Sequence, residues 1–598
     1  MDRTTPGQYA RLALLLAILA AALLYPIWLT VKGAFRGTDD AFTLHHVGMV
    51  FADPVLRGGL VNALIIAAST TLLSAIIGLP LAMLFARREF PGKTLLGALL
   101  LVPLILPPFV GAIGIRYLLG RFGTLNTALI DLGLLDAPVD FLGRGGLPAV
   151  VLLEALHLYP ILYLNVLAAL ANIDPAMEEA GENLGAGAWT RFRRITLPLM
   201  RPGFFAGGTI VFIWSFTELG TPLMLEFNQV TPVQIFNGIK EMEVSRQPYA
   251  LTAVMLFAAA VLYLLGKHLF GRAAAAGAAK ASIRAEIPRL RGFAGLGASA
   301  GVVLFIAIAA IPHLGVILAS LAVDGSWYRS LLPRAFTLSH FGEALTHPMA
   351  AGSIRNSLFL SLCAVAASVV VGVAVARTLT RTRVRGRFLL DALSMLPLAV
   401  PGLVLAFGFV SMSLAWPFSG AMPAWLASLV GPVLPAASIA WLDDGPLKPL
   451  GDILGADPNP IPLLIVAYAV RRLPYVVRAA VAGLEQTGVA VEEAAANLGA
   501  SRWTRLRRVV LPLILANLVG GAILAFSFSM LEVSDSLILA QRSRDYPITK
   551  AIYTLAERLG DGPAIASAMG VWGMALLTLA LLAATMAMGR RLGALFRA

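Results

Sequence analysis

Three glutamates lie in stretches that are otherwise apolar. Glu218 closes Phe212-Ile213-Trp214-Ser215-Phe216-Thr217-Glu218, Glu532 closes Phe526-Ser527-Phe528-Ser529-Met530-Leu531-Glu532, and Glu154 sits in Val150-Val151-Leu152-Leu153-Glu154-Ala155-Leu156-His157. A carboxylate inside a membrane span is costly and faces a cavity or a partner. Glu218 and Glu532 occupy matching places in two spans, so they either face one another across a cation-accessible pathway or sit hydrated near the outer interface as structural groups. Glu154 has no acidic counterpart, because Tyr468 stands at the matching position. An ion pair with Arg116 and no transport role is the expectation for it. Arg471-Arg472, opposite His157 and Leu158, is open to either reading. His45-His46 lacks supporting carboxylates or cysteines and reads as loop decoration, not a metal site. No Ser/His/Asp set or pair of catalytic carboxylates occurs in a polar segment, and no polar segment is large enough to hold an active site. Neither an enzyme nor a bound cofactor or resident metal is expected.

Motion is the other kind of work the residues can do. Glu178-Glu179-Ala180-Gly181-Glu182-Asn183-Leu184-Gly185-Ala186-Gly187-Ala188-Trp189-Thr190-Arg191-Phe192-Arg193-Arg194-Ile195-Thr196-Leu197-Pro198 returns as Glu492-Glu493-Ala494-Ala495-Ala496-Asn497-Leu498-Gly499-Ala500-Ser501-Arg502-Trp503-Thr504-Arg505-Leu506-Arg507-Arg508-Val509-Val510-Leu511-Pro512. Asp174-Pro175 can cap and open a helix, Glu178 and Glu179 suit its N-terminal end, and Gly185 can close it in the left-handed conformation. Such a helix is too short to stand alone, since nucleation outweighs what two turns return. It needs a partner surface. Two near-identical copies weigh against a plain basic connector.

The elements that must position these groups are membrane spans. The chain is 58% hydrophobic and only 13% charged, with a mean hydropathy of +0.81, whereas globular chains are about a quarter charged. Its formal charge of +13 fits basic loops beside a membrane better than nucleic acid, because no stretch interleaves basic with aromatic residues. Cys363 is the one cysteine, read as buried and inert. Apolar windows fall near 11–31, 60–86, 95–119, 147–171, 203–223 and 250–270, and again near 294–322, 355–378, 388–413, 461–484, 515–540 and 565–591. The first, which follows Arg3 and Arg11, reads as a retained helix and not a cleaved leader. The fold class is therefore an all-α polytopic membrane protein of about twelve spans.

Basic loops stay cytoplasmic. Arg87-Arg88 with Lys93, both repeated segments, Lys267 through Arg291, Arg377 through Arg387, and Arg590-Arg591 share one side if both termini are cytoplasmic. Asp39-Asp40, Asp131, Asp136, Asp140, Asp443-Asp444, Asp452 and Asp457 fall on the other. An even number of spans per half makes the duplication a parallel repeat: a first half at 1–270, a cytoplasmic linker at 271–293 carrying Lys280 and Arg284, and a second half at 294–598. Trp189 and Trp503 lie 314 positions apart, as do Pro160 and Pro474. Upstream the offset is 294, from Asn62 to Asn356 and Pro107 to Pro401, so a net 20 residues are inserted near Ala415 to Pro460. There Ala421 to Ala440 reads as a short re-entrant or interfacial helix.

The repeated segment resembles the signature loop of binding-protein-dependent ABC importer permeases: Glu-Ala-Ala, Gly four residues on, then Ile-x-Leu-Pro. The first copy supplies Glu179, Ala180, Gly181, Gly185, Ile195, Leu197 and Pro198, with Gly181 in place of the usual Ala; the second supplies Glu493, Ala494, Ala495, Gly499, Val509, Leu511 and Pro512, with Val509 in place of Ile. The resemblance implies the type I importer fold in a bacterial inner membrane, with a coupling helix in each loop that includes Glu178 and Glu492. It also implies two separate ATPase subunits docked there and an extracytoplasmic solute-binding protein. No Walker A cradle contradicts this, since Gly92-Lys93-Thr94 has Arg87 where the motif needs glycine. Two complete halves in one chain look most like the ferric-iron permeases, with thiamine, phosphonate and polyamine permeases as alternatives. A secondary transporter of two six-helix repeats would share the topology but has no need of twin docking helices.

Overall fold

The computed structural model describes residues 6–37, 41–104, 107–142, 146–239, 242, 245–270, 288–430, 435–455, 457–558 and 560–588. Asp39-Asp40, Lys280, Arg284 and Arg590-Arg591 lie outside them. Among the described residues the chain is helical, with isolated bridges in place of strands. Among the described residues nine helices are long and apolar enough to cross a membrane, or up to eleven if each of two bent pairs is one span. A further long helix, Ile461–Gln486, carries Arg471, Arg472 and Arg478, and it occupies the remaining window of the twelve.

The duplication holds to the residue. Pro54–Arg87 and Pro348–Arg381 are both 34 residues long, and Leu197–Phe216 and Leu511–Met530 are both 20. In each half the long helix packs along the fourth repeat helix, Leu147–Leu170 or Ile461–Gln486. A Cβ on Gly78 would lie 3.2 Å from Leu162 Cδ2 and 3.3 Å from the Tyr163 amide nitrogen; on the matching Gly372 it would lie 2.9 Å from Val476 Cγ1. Glycine is needed there because small residues let helices close up where no hydrophobic effect drives them together.

The windows near 95–119 and 388–413 are not straight spans. Lys93–Leu104 meets Pro108–Asp131 at 90°, and Arg387–Ala399 meets Gly402–Ser413 at 106°. Pro107-Pro108 and Pro401 sit at these breaks, where proline cannot donate the helical hydrogen bond and forces its predecessor out of helical geometry. Each break is clasped from the opposite half. Pro26, in the first span of the chain, lies within 2.9 Å of a Cβ on Gly408, and Pro312 O, in the helix Ile311–Leu321 that continues the first span of the second half, within 2.4 Å of one on Gly114. The halves thus exchange their first helices and interlock.

In the insertion, Ala424–Val430 and Ala436–Asp443 form two short helices where one was expected. The second of them is tied back to the start of the insertion by Trp416 Nε1 donating to Leu442 O at 2.8 Å and the Met422 amide donating to Asp443 Oδ1 at 2.7 Å. Asp457, beyond them, accepts from Arg544 at 2.7 Å and Arg542 at 3.0 Å, and these guanidiniums hold its carboxyl below the ordinary range. Cys363 is half-buried, not enclosed, on a helix face that also exposes Phe359 and Leu362.

Candidate functional site: twin loop helices and a charged central cavity

Each repeated segment folds alike. Pro175–Asn183 and Val489–Asn497 are nine-residue helices, each closed by a glycine in the left-handed region, Gly185 at φ 78° and Gly499 at φ 80°. Asp174 caps the first, accepting from the Ala176 amide at 3.0 Å. The second opens at Gly488 without a side-chain cap. A four-residue helix and a five-residue π-helical turn then lead into the next span in both copies, at Ala188–Arg191 and Phe192–Thr196, then Arg502–Arg505 and Leu506–Val510.

The paired glutamates divide their work. Glu178 is held by Arg87, the last residue of its long helix, and accepts from Thr196 Oγ1 at 2.6 Å. Glu492 is held by Arg381, the matching last residue, with Nε to Oε1 at 2.7 Å, and by Arg377 at 3.6 Å. These inner acids pin the short helices to the bundle. Glu179 and Glu493 stay exposed, and beside them stand Leu184 (88% exposed) and Leu498 (89%), Trp189 (70%) and Trp503 (67%). Large apolar side chains left bare on polar helices mark a contact surface. Sequence reasoning passed over Leu184 and Leu498; the available signal was a leucine just before the closing glycine in both copies.

Each copy is one methyl short of the signature's Ala and Ile pair, the first at Gly181 and the second at Val509. A Cβ on buried Gly181 would lie 2.8 Å from Ile195 Cδ1, and in the second copy the methyl is present as Ala495 while the facing position shortens to Val509. Gly181→Ala gains helix propensity but presses on a side-chain tip, and Ile195→Val alone leaves a methyl-sized void. The double variant is expected to be more stable than the sum of the singles by roughly 0.5–1 kcal/mol, read from thermal unfolding.

Glu218 and Glu532 border one cavity of about 200 Å³ between the halves, together with Glu154, His157, Arg471 and Arg472. They lie in the turns after their helices, which end at Phe216 and Met530, not inside them. In the first half the chain restarts as Gly220–Met224, and Pro222 suits the first turn of a new helix, not the interior of an old one. The two acids are not alike. Glu532, 4% exposed, is bridged by Arg471 at 2.8 Å and by Arg472; Arg471 also reaches Asp535 Oδ2 at 3.4 Å. Glu218 instead accepts from the backbone amides of Gly220 at 3.1 Å and Thr221 at 3.3 Å. The expected Glu154–Arg116 pair does not form, because Arg116 Nη2 turns to Glu226 at 2.9 Å and its Nη1 to Met224 O at 3.3 Å. Glu154 accepts from the Ser215 hydroxyl. His157 Nδ1 sits 2.8 Å from Pro103 O, beside the broken helix, and Arg471, its counterpart, packs onto Gly402 at the other break. Among the described residues no group of three or more His, Cys, Asp or Glu side chains could hold a metal; His45 and His46 stack edge to face.

Two interlocked helical halves, a charged cavity between them and twin pinned helices with bare outer faces define a two-repeat membrane transport subunit. The chain belongs to the family described as "Binding-protein-dependent transport system inner membrane component", which matches residues 78–275 and again 368–594, and its role is that of the permease of an ABC importer. It is 25% identical over 514 residues to the "Putative ferric transport system permease protein FbpB 1" of Haemophilus influenzae, covering 84% of this chain and 73% of that one. It is 26% identical over 528 residues to the "Probable ABC transporter permease protein y4fN" of Sinorhizobium fredii, covering 86% and 85%. The "Molybdenum transport system permease protein ModB" of Escherichia coli matches 30% of this chain and 76% of its own length at 34% identity. Among solved structures, a bacterial ABC transporter that imports alginate aligns over 42% of this chain and 90% of its own, at 20% identity and a TM-score of 0.34.

Proposed function

We propose that this chain is the fused membrane subunit of an ATP-driven importer that carries ferric iron inward, with each loop helix docked on a separate ATPase subunit. In this reading residues 1–270 and 294–598 are the two halves and 271–293 their linker; both termini and both loop helices are cytoplasmic, and a solute-binding protein delivers cargo to the opposite face. Glu179, Ala180, Gly181 and Gly185, with Glu493, Ala494, Ala495 and Gly499, form the docking helices, while Glu178 and Glu492 transmit their displacement to the long helices through Arg87 and Arg381.

One observation carries the reading: the same helix occurs twice, each pinned on its inner side by an arginine at the end of a long helix and each bare on its outer side. A pinned helix moves its span when it is pushed. The ferric assignment rests on the names of two relatives and on the carboxylates of the cavity; thiamine, phosphonate or polyamine cargo would leave the docking account unchanged. The test is uptake into vesicles holding the chain with and without its ATPase.

A further inference from the structure

We infer that Glu154 and Glu218 form a transient binding site for a hard, multivalent cation on the first-half wall of the central cavity. The inference deepens the permease reading and rests on it for the direction of transport.

The cavity's two walls differ in charge. On the second-half wall both acids are matched by guanidiniums, Glu532 by Arg471 and Arg472 and Asp535 by Arg471. On the first-half wall neither Glu154 nor Glu218 has a salt bridge among the described residues. The carboxyl groups that lack a guanidinium partner therefore lie on one side of the cavity.

Glu154 supplies the independent sign of a ligand. It is 1% exposed and lines the cavity. Its Oε2 accepts from Ser215; its Oε1 faces the Thr70 hydroxyl without closing a hydrogen bond to it, and neither of those atoms has another partner. A buried carboxylate oxygen left bare has a cost that persists only where something else repays it. Glu218 spends one oxygen, Oε1, on the amides of Gly220 and Thr221. The hydroxyls of Thr70 and Thr217 could add oxygen ligands, the one imidazole on this wall, His157, being turned to Pro103 O through Nδ1, and an oxygen-rich set favours hard cations.

Two carboxylates with hydroxyls and water are too few for a resident metal. That suits cargo, which must bind well enough to enter and weakly enough to leave. Tyr468, which replaces Glu154 in the other half, donates to or accepts from Ser536 Oγ at 2.6 Å. The second half thus has no equivalent site, and the stoichiometry should be one ion per chain.

Terbium(III), a hard trivalent oxygen-seeking probe, is titrated into the full chain in lipid nanodiscs while tryptophan-sensitised luminescence is recorded; Trp214 lines the same cavity. We expect one saturable site whose apparent Kd rises about tenfold or more in Glu154→Gln and in Glu218→Gln. Glu226→Gln, which touches only the Arg116 pair, should leave it unchanged. Because Glu154 has no cation partner to orphan, Glu154→Gln should also keep or raise the Tm. Unchanged terbium affinity in both variants overturns the site, as does a Tm that falls together with affinity in Glu154→Gln. Uptake that still needs ATP alongside unchanged affinity removes the site and leaves the permease reading; uptake that needs no ATPase removes the permease reading whatever terbium does.

Discussion

Leu184→Asp combined with Leu498→Asp is expected to abolish ATP-driven uptake while leaving the membrane bundle intact. Both leucines are almost wholly exposed on the isolated chain, so their replacement should change the stability of the bundle by no more than about 0.5 kcal/mol. In the assembled importer the same side chains would be buried against the ATPase, where an anchoring apolar residue is worth about 2–4 kcal/mol on truncation. An introduced carboxylate adds desolvation to that loss. Each site should then lose roughly 30- to 1000-fold in affinity, and the doubly substituted chain should fail to retain its ATPase on purification. Glu179→Lys and Glu493→Lys, singly, should weaken assembly less, because a rim charge governs association more than residence. An unchanged Tm with lost retention supports docking; retention and uptake at the level of the parent chain would show that the bare faces meet nothing that matters.

Glu532→Gln should destabilise the chain far more than Glu218→Gln, although the two positions are equivalent in the repeat. Side chains of Glu532, Arg471 and Arg472 are 3%, 21% and 14% exposed in their pairings. Removing the shared carboxylate leaves two guanidiniums in a low-dielectric site with Asp535 as their remaining acid, and breaking a buried pair costs about 3–5 kcal/mol. Glu218→Gln keeps an oxygen that can accept from the Gly220 and Thr221 amides and orphans no cation, so its effect should stay within about 1 kcal/mol. Thermal unfolding of both variants in nanodiscs makes the comparison. Equal losses would mean that the arginines do not depend on Glu532.

The long elements and the duplication could be read from the sequence because hydropathy and matched offsets are local signals. Pro54–Arg87 and Pro348–Arg381 begin and end 294 positions apart, as Asn62 and Asn356 do. The left-handed Gly185 and Gly499 and the cap at Asp174 were likewise visible in a few neighbouring residues. What escaped was non-local. Arg381 and Glu492 stand 111 positions apart, and Arg472 and Glu532 stand 60 apart; no periodicity links such pairs, so Arg471-Arg472 stayed ambiguous and Glu154 was given the wrong partner. The exchange of first helices between halves is set by Pro26 on Gly408 and Pro312 on Gly114, contacts that a hydropathy window cannot see. The bends at Pro107-Pro108 and Pro401 were within reach, since those prolines had been matched across the repeat, but an apolar window averages a break away. The packing of position 181 against Ile195, further along the same loop, was likewise beyond a local pattern.

The central claim is that motion of the pathway is driven from outside the chain, through the two loop helices. It is tested most directly by solute uptake into proteoliposomes that contain the full chain and its solute-binding protein, with the ATPase subunits and ATP either present or withheld. Uptake that appears only when ATPase and ATP are both supplied is the predicted result. Uptake at a comparable rate in vesicles that lack the ATPase would contradict the account and make the chain a secondary transporter.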